Sequence, residues 1–290
     1  MKAKILILTP VYNDWENLNK LLLKINKIFQ NEVKTKFELI VVNDHSSKNY
    51  NFKKFKMRMV KKVTILNLFK NEGSQRAIGI GIKYINKNYK NKFKTIIIDS
   101  DGQDNPKIIS KMLELSMKSP KYSLVIDRGQ RKEPLWFKFF YEFYCILIQF
   151  FCAKKIRFGN YSLLISKHLK KISLQQELWS AFPPTVLKTI DNLIHLTLDR
   201  DKRYSGESKM NFFGLIIHAL KVFSALRYSV LFFSTIYLIL SYFLFYESKN
   251  LIFFSLMLGL LIFNIINFLI SFNNKKNFLN AFDKIKIKTF

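Results

Sequence analysis

The sequence predicts an α/β fold: a Rossmann-like, mostly parallel, doubly wound sheet followed by helices and a C-terminal apolar two-helix hairpin. Three observations carry this. Short β-branched and aliphatic runs alternate with amphipathic stretches through the first 134 residues. Each of those runs stops in a loop of Asp, Asn, Ser or Gly. Two long uncharged stretches lie near the C-terminal end.

Ile5-Leu6-Ile7-Leu8 reads as a buried parallel strand. It runs into the loop Thr9-Pro10-Val11-Tyr12-Asn13-Asp14 and then a helix from about Trp15 to Phe29, whose apolar face is Leu18, Leu21, Leu22, Ile25 and Ile28. Phe37 to Val42 is a second strand, ending in Asn43-Asp44-His45-Ser46-Ser47. Lys53 to Lys62 is basic and reads as partly helical. Val63 to Leu66 is a third strand, and Asn71-Glu72-Gly73-Ser74-Gln75 leads into a helix through Tyr84. Thr95 to Ile98 is a fourth. Pro106 suits the first turn of the helix Lys107 to Lys118. Ser123 to Ile126 is a fifth strand, closing on Asp127-Arg128-Gly129-Gln130-Arg131. Right-handed crossovers put all these loops on one edge of the sheet. Asp44, Asn71, Asp99, Asp101 and Arg128 can therefore converge on one ligand.

The fourth strand ends in Asp99-Ser100-Asp101-Gly102-Gln103-Asp104. On an extended segment Asp99 and Asp101 leave on the same side. Two carboxylates that close repel unless a cation lies between them. Their oxygens, with Gln103, suit a hard ion such as Mg²⁺ or Mn²⁺. The same residues also suit a solvated acidic turn.

Leu135 to Cys152 is strongly apolar, but Lys138, Glu142 and Gln149 fall within about 40° of one another on a helix. This narrow polar stripe fits a membrane-interface helix; a buried core helix is the other reading. Arg157 to Ser162 reads as a short link, followed by a mixed region to Leu198 and a charged turn from Asp199 to Lys209. Phe212, Leu215, Ile216, Ala219, Leu220 and Phe223 repeat at helical spacing, a second interfacial candidate. Tyr228 to Tyr246 and Leu251 to Phe272 are each long enough to span a bilayer. Only Glu247-Ser248-Lys249-Asn250 separates them. Lys221 and Arg227 before, and Lys275 and Lys276 after, place both ends in the cytoplasm. Asn264 and Asn267 are positioned to hydrogen-bond across the hairpin. The basic tail Asn273 to Phe290 is expected along the inner leaflet. The expected organisation is a core over 1–134, a region with the two interfacial helix candidates over 135–226, a hairpin over 227–272 and a tail over 273–290.

The 290 residues carry a net charge of +28 and 29 Phe. This excess suits an anionic membrane surface or a phosphorylated substrate. Nucleic acid fits poorly, because the basic residues are spread along the chain and two spans are present. Two cysteines, Cys145 and Cys152, rule out a disulfide framework or zinc ribbon. A nicotinamide-dependent dehydrogenase fits poorly too, since no Gly-x-Gly-x-x-Gly follows the first strand. The opening Met1-Lys2-Ala3-Lys4 leads into too short an apolar run for a signal peptide, so the N-terminal part is expected in the cytosol.

Five ordered motifs resemble glycosyltransferase family 2: TPVYND at 9–14, VVNDHSS at 41–47, NEGSQRAIGIG at 71–81, DSDGQDNP at 99–106 and RYSGESK at 203–209. They cover about 1–226 and are most similar to the polyprenyl-phosphate subgroup. The resemblance implies a GT-A-type core, a nucleotide-diphosphate sugar donor and a polyprenyl phosphate acceptor such as undecaprenyl phosphate. It implies a multi-pass protein of the cell inner (plasma) membrane, with a homo-oligomer left open. Pro10, Tyr12, Asp44 and Asp99 would bind the donor. Asp99, Asp101 and Gln103 would hold Mg²⁺ or Mn²⁺. Asp101, Arg128 and Arg131 would act on the diphosphate as it leaves. Arg200, Arg203, Ser208 and Lys209 would receive the acceptor phosphate. The chain departs from the pattern at Asn160 and Ser162, where the family has an acid and an Arg, and at His45, where Gly is commoner. Asn160 cannot serve as a base; either a phosphate acceptor needs none, or Asp104 or Asp127 replaces it, or the acceptor differs.

Overall fold

The computed structural model describes residues 3–30, 35–48, 58–129, 135–205, 212–245 and 251–289. In chain order come β1 (Lys4–Val11), α1 (Trp15–Ile28), β2 (Phe37–Asn43), β3 (Val60–Leu68), α2 (Ser74–Asn88), β4 (Phe93–Ile97), α3 (Ile109–Lys118) and β5 (Ser123–Arg128). Then follow α4 (Leu135–Cys152), β6 (Phe158–Ile165), α5 (Ser166–Ser173), α6 (Phe182–Thr189) and β7 (Leu193–Leu198). The last elements are α7 (Phe212–Ala225), α8 (Arg227–Phe245), α9 (Leu251–Leu279) and β8 (Ile285–Thr289).

The apolar runs are continuous because their strands are buried on both faces. On β1, Leu6 and Leu8 enter one core and Ile7 the other. The first core lies under α2, α5 and α6 and holds Trp179 and Phe182; the second lies under α1 and α3. The eight strands run β7-β5-β6-β4-β1-β2-β3-β8. Pairing is parallel from β4 through β1 and β2 to β3, and between β5 and β7.

Two strands depart from the expected pattern. Residues 158–165, read as a link and the start of a mixed region, form β6, antiparallel to both β4 and β5 in mid-sheet. Gly159, Asn160 and Ser162 interrupt its apolar run, so its period is hidden. Yet it is buried along its whole length. The sheet therefore extends well beyond residue 134. The second departure is the tail. Its alternating Ile285-Lys286-Ile287-Lys288 pairs antiparallel with β3 as an edge strand, with the lysines exposed. Charged side chains on an edge discourage further pairing. Residues 285–289 thus belong to the sheet, in place of the expected lipid-surface tail.

Helices α8 and α9 are long and apolar enough to cross a membrane. Helix α4 is not a core helix. Ile148 and Cys152 pack with Val222, Phe223, Leu226 and Val230, while Phe139, Phe143, Ile146 and Phe150 stay exposed beside Glu142 and Gln149. Phe150 also stacks on Tyr237, with ring centroids 4.1 Å apart. Asn264 and Asn267 do not bridge the hairpin. Each amide donates to the carbonyl four residues back on its own helix, Leu260 and Phe263.

His168 ties α5 to the sheet: its Nδ1 is 2.9 Å from the Ser123 hydroxyl, which also accepts the Ile165 N–H. Burial first, then Lys171 and Lys167, lower its pKa below the ordinary 6.5. The folded state therefore favours the neutral ring. This stabilisation is complete above the unfolded value of about 6.5 and is lost as pH falls below it. Thermal unfolding of the purified protein should show a loss of stability from pH 7 to pH 5 that is weaker in His168→Gln.

Candidate active site

Strand β4 stops at Ile97, two residues before the first carboxylate. The chain then turns, with Gly102 at φ +84°, where a Cβ would also strike the Tyr204 ring. Asp99 and Asp101 therefore both lie beyond the end of β4, and an extended strand does not set the direction of their side chains. Both oxygens of Asp99 accept from the Asn160 amide, at 3.1 and 3.2 Å. Asp101 has different partners: Oδ2 accepts from Arg203 at 3.0 Å and Oδ1 from the Gln103 N–H at 3.0 Å. A second Arg203 nitrogen reaches Asp14 at 2.8 Å.

A small polar cavity opens beside this turn. Asp99, Gln103 and Asp104 line it from the β4 side, Arg128 from the end of β5, Asn160 from β6, and Arg200 from the segment after β7. The Arg128 guanidinium lies against Gly159, where any Cβ would displace it. Burial pushes the Asp99 carboxyl up and Asp101 pushes it further, against the pull of Asn160, Arg200 and Arg128. Asp104 is pushed up to about 7, by burial and then by Asp99. Charge in this cavity is therefore costly unless a cation joins it.

Gln75 locks the cavity's neutral side. Its Nε2 donates to Asn160 Oδ1 at 2.9 Å, and its Oε1 accepts the Phe182 N–H at 2.8 Å. The residue standing in the family's acidic position is thus held as a donor toward Asp99.

Asp44 sits apart from this cavity, at the end of β2. Its oxygens accept the Glu72 N–H at 2.7 Å and the Gly73 N–H at 2.9 Å. Burial raises its pKa, and these two amides oppose the rise. Gly73 supplies the φ of +86° that the turn requires. Pro10 is buried at the end of β1, while Tyr12 is 40% exposed on the neighbouring loop. His45, where Gly is commoner, has φ +59°. It is a loop residue in the left-handed region, which His enters more readily than most side chains.

Residues 200–205 lie across the acidic turn. The Asp201 N–H donates to Gln103 O and the Tyr204 N–H to Asp101 O, each at 3.0 Å. Ser205 bonds Asn17 at 2.6 Å. Of the residues expected near the acceptor phosphate, Arg200 lines the cavity and Arg203 is the counter-ion of Asp101 and Asp14. Ser208 and Lys209, like Arg131, lie outside the described residues.

Asp14 and Asn17 were not singled out from sequence. They are three apart at a helix start, a spacing that puts both on one side, and Asn17 donates to Asp14 at 2.7 Å. Gln75 lies in the first turn of α2. Its bond to Asn160 crosses 85 positions and has no local signature.

Among the described residues no three His, Cys, Asp or Glu side chains are arranged to hold a metal ion. Asp99, Asp104 and Gln103 of the turn nonetheless offer oxygens to the cavity, whose lining also includes Asp127 and Asp199. A hard divalent ion fits that chemistry when further oxygens come from a ligand.

A family model described as glycosyl transferase family 2 matches residues 6–168, more than half of the 290-residue chain. No curated protein sequence matches. Among solved structures the fold is similar to Staphylococcus aureus TarS, at 14% identity and TM-score 0.52 over 97% of this chain and 53% of that one. The chain thus spans about half the length of that structure. It is also similar to Mycobacterium tuberculosis glucosyl-3-phosphoglycerate synthase in complex with Mn²⁺ and UDP-glucose, at 12% identity and TM-score 0.52 over 79% of each chain. The complex of that enzyme with Mn²⁺, UDP and its product gives TM-score 0.51 at 12% identity over 79% of this chain and 80% of that one. These structures share the fold, and the family match extends from β1 into α5: the chain belongs to glycosyltransferase family 2.

Proposed function

We propose that the protein moves a sugar from a nucleotide-diphosphate sugar to a polyprenyl phosphate at the cytoplasmic leaflet, with inversion and with a divalent cation. The observation that carries this is Asn160. The position where the family keeps an acid holds an amide fixed by Gln75 and donating to Asp99. An amide takes no proton. A phosphate acceptor is already ionised near neutral pH and needs no base.

The remaining residues divide the work. Asp99, Asp101 and Gln103, with Asp104 beside them, would hold Mg²⁺ or Mn²⁺, which offsets the negative charge that gathers on the leaving diphosphate. In the structure Arg203 neutralises Asp101, so a cation at Asp101 competes with Arg203. Arg128, and by its sequence position Arg131, stabilise the same developing charge. Each well-placed donor of this kind is commonly worth about 3 kcal/mol in the transition state. Pro10, Tyr12 and Asp44 form the nucleoside side of the pocket. Arg200 has a buried Nε without a hydrogen-bond partner among the described residues. With Ser208 and Lys209 it would take the acceptor's phosphate, and Arg203 would join once freed from Asp101. A neighbour of this fold holding Mn²⁺ and UDP-glucose supports the donor side.

Two apolar helices and the exposed aromatic face of α4 support a membrane location. The chain reaches this hairpin from β7 by way of α7 and returns to the sheet through β8, which agrees with both flanks on one side of a bilayer. The net charge of +28 favours the anionic inner leaflet.

One observation favours a second reading, transfer to a hydroxyl of a lipid-linked glycan. Asp104 is pushed up to about 7, which suits a general base near neutral pH.

The acceptor assay separates the two. Purified protein, a radioactive nucleotide sugar and Mn²⁺ should label undecaprenyl phosphate and release nucleoside diphosphate. Label found only on a glycan hydroxyl would establish the second reading instead. The cation assignment has its own test. Asp99→Asn and Asp101→Ala should each lower transfer by about 100-fold or more without changing the unfolding temperature by much. Both should weaken Mn²⁺ binding in the presence of UDP, read by electron paramagnetic resonance. Unaltered Mn²⁺ binding in both variants would remove these side chains from the cation site.

A further inference from the structure

The segment that follows the apolar hairpin comes back to the loop that holds Asp44. After α9 a short 3₁₀ turn, Ala281–Lys284, leads into β8. The Lys284 carbonyl accepts the Phe69 N–H, and its ammonium reaches Glu72 Oε1 at 3.0 Å. The Glu72 side chain is 2% exposed. Its other oxygen accepts from Arg76 at 3.0 Å. Arg76 in turn donates to Asn274 on α9 at 3.3 Å. Lys83 seals the same junction, lying 4.1 Å from the Phe278 ring centroid and donating to the Phe278 carbonyl.

A buried carboxylate keeps its place only while its charge is matched, and removing one partner of such a pair is strongly unfavourable. Burial alone would raise the Glu72 pKa; Lys284 and Arg76 outweigh it and hold the group ionised. The backbone of that same residue does other work. The Glu72 and Gly73 amides are the two donors on the Asp44 carboxylate. The side chain of Glu72 thus belongs to the C-terminal junction and its main chain to the nucleoside side of the site.

We propose that Lys284 is a positioning residue for the nucleotide. By holding Glu72 it holds the 71–73 turn, and that turn orients Asp44. The turn after the hairpin thereby completes the donor site from 212 positions downstream. This rests on the reading that Asp44 faces the nucleotide. It also means that the core over 1–226, cut away from the hairpin and β8, binds nucleotide poorly even where it folds.

The test uses the full-length protein and titrates UDP and GDP by calorimetry, with donor KM and kcat measured alongside. Lys284→Met should weaken binding of the nucleotide that the wild type prefers by about tenfold and raise donor KM to match, with kcat within about twofold. Lys284→Arg should recover most of the loss. Lys284→Met added to Asp44→Asn should cost little beyond Asp44→Asn alone, because both act through one carboxylate. A merely structural lysine would lower kcat and stability in both backgrounds and leave the dissociation constant in place. If Lys284→Met does not fold, Glu72→Gln with Lys284→Met replaces the ion pair by a neutral one, and the same loss of affinity is expected. Unchanged affinity in these variants, while Asp44→Asn weakens it, overturns the role of Lys284. Unchanged affinity in Asp44→Asn instead overturns the nucleotide reading on which the role rests.

Discussion

Three carboxylates within six residues, at the open end of β4, are the constraint around which this molecule is arranged. Asp99, Asp101 and Asp104 cannot all carry charge in a half-enclosed turn without partners. The protein supplies several, from distant parts of the chain. Arg203 reaches in from the segment after β7 and bridges Asp101 to Asp14. Arg200 and Arg128 flank the cavity. Asn160 offers two hydrogen bonds where a fourth carboxylate would have added repulsion. The result is a turn held at both ends, with Asp99 and Asp104 facing the cavity and only partly compensated.

The helices beyond the sheet are tied to the same region through buried polar contacts. Residues 176–180 form the junction. Arg227, at the start of α8, pairs with Glu177 at 3.0 Å, and both are 5% exposed. Ser180 meets Ser224 of α7 at 3.2 Å and Asn274 of α9 at 2.8 Å. Two residues further on, the Phe182 amide holds Gln75, which holds Asn160, which contacts Asp99. A continuous set of named contacts thus runs from the apolar hairpin to the acidic turn. Packing and hydrogen bonds of this kind fix relative position, so a lipid-borne acceptor would meet a site already held at a set distance from the hairpin.

Much of this was legible in the residues. The parallel strands β1 to β4 were visible because strands buried on both faces need unbroken apolar runs. The two long apolar helices were visible because uncharged length is itself their signal. The order of the motifs pointed to the family, and the position of Asp99 and Gln103 beside basic residues followed from loops sharing one sheet edge. What stayed hidden has physical causes. Strand β6 carries site residues, so its polar Asn160 and Ser162 mask its period. Strand β8 reads as a basic tail because an edge strand shows charge to solvent. The shape of the acidic turn depends on β4 ending at Ile97 and on the left-handed Gly102, neither of which a run of letters reveals. Contacts such as Gln75 to Asn160, or Lys284 to Glu72, join side chains far apart in sequence, and only the fold brings them together.

The account rests most heavily on a divalent cation meeting the diphosphate at the acidic turn. The direct measurement is anomalous scattering from crystals of the full-length protein grown with Mn²⁺ and UDP. The expected result is a single strong manganese peak within bonding distance of at least one oxygen of the 99–104 turn and of the diphosphate. A manganese peak elsewhere, with UDP seated away from that turn, would contradict the account.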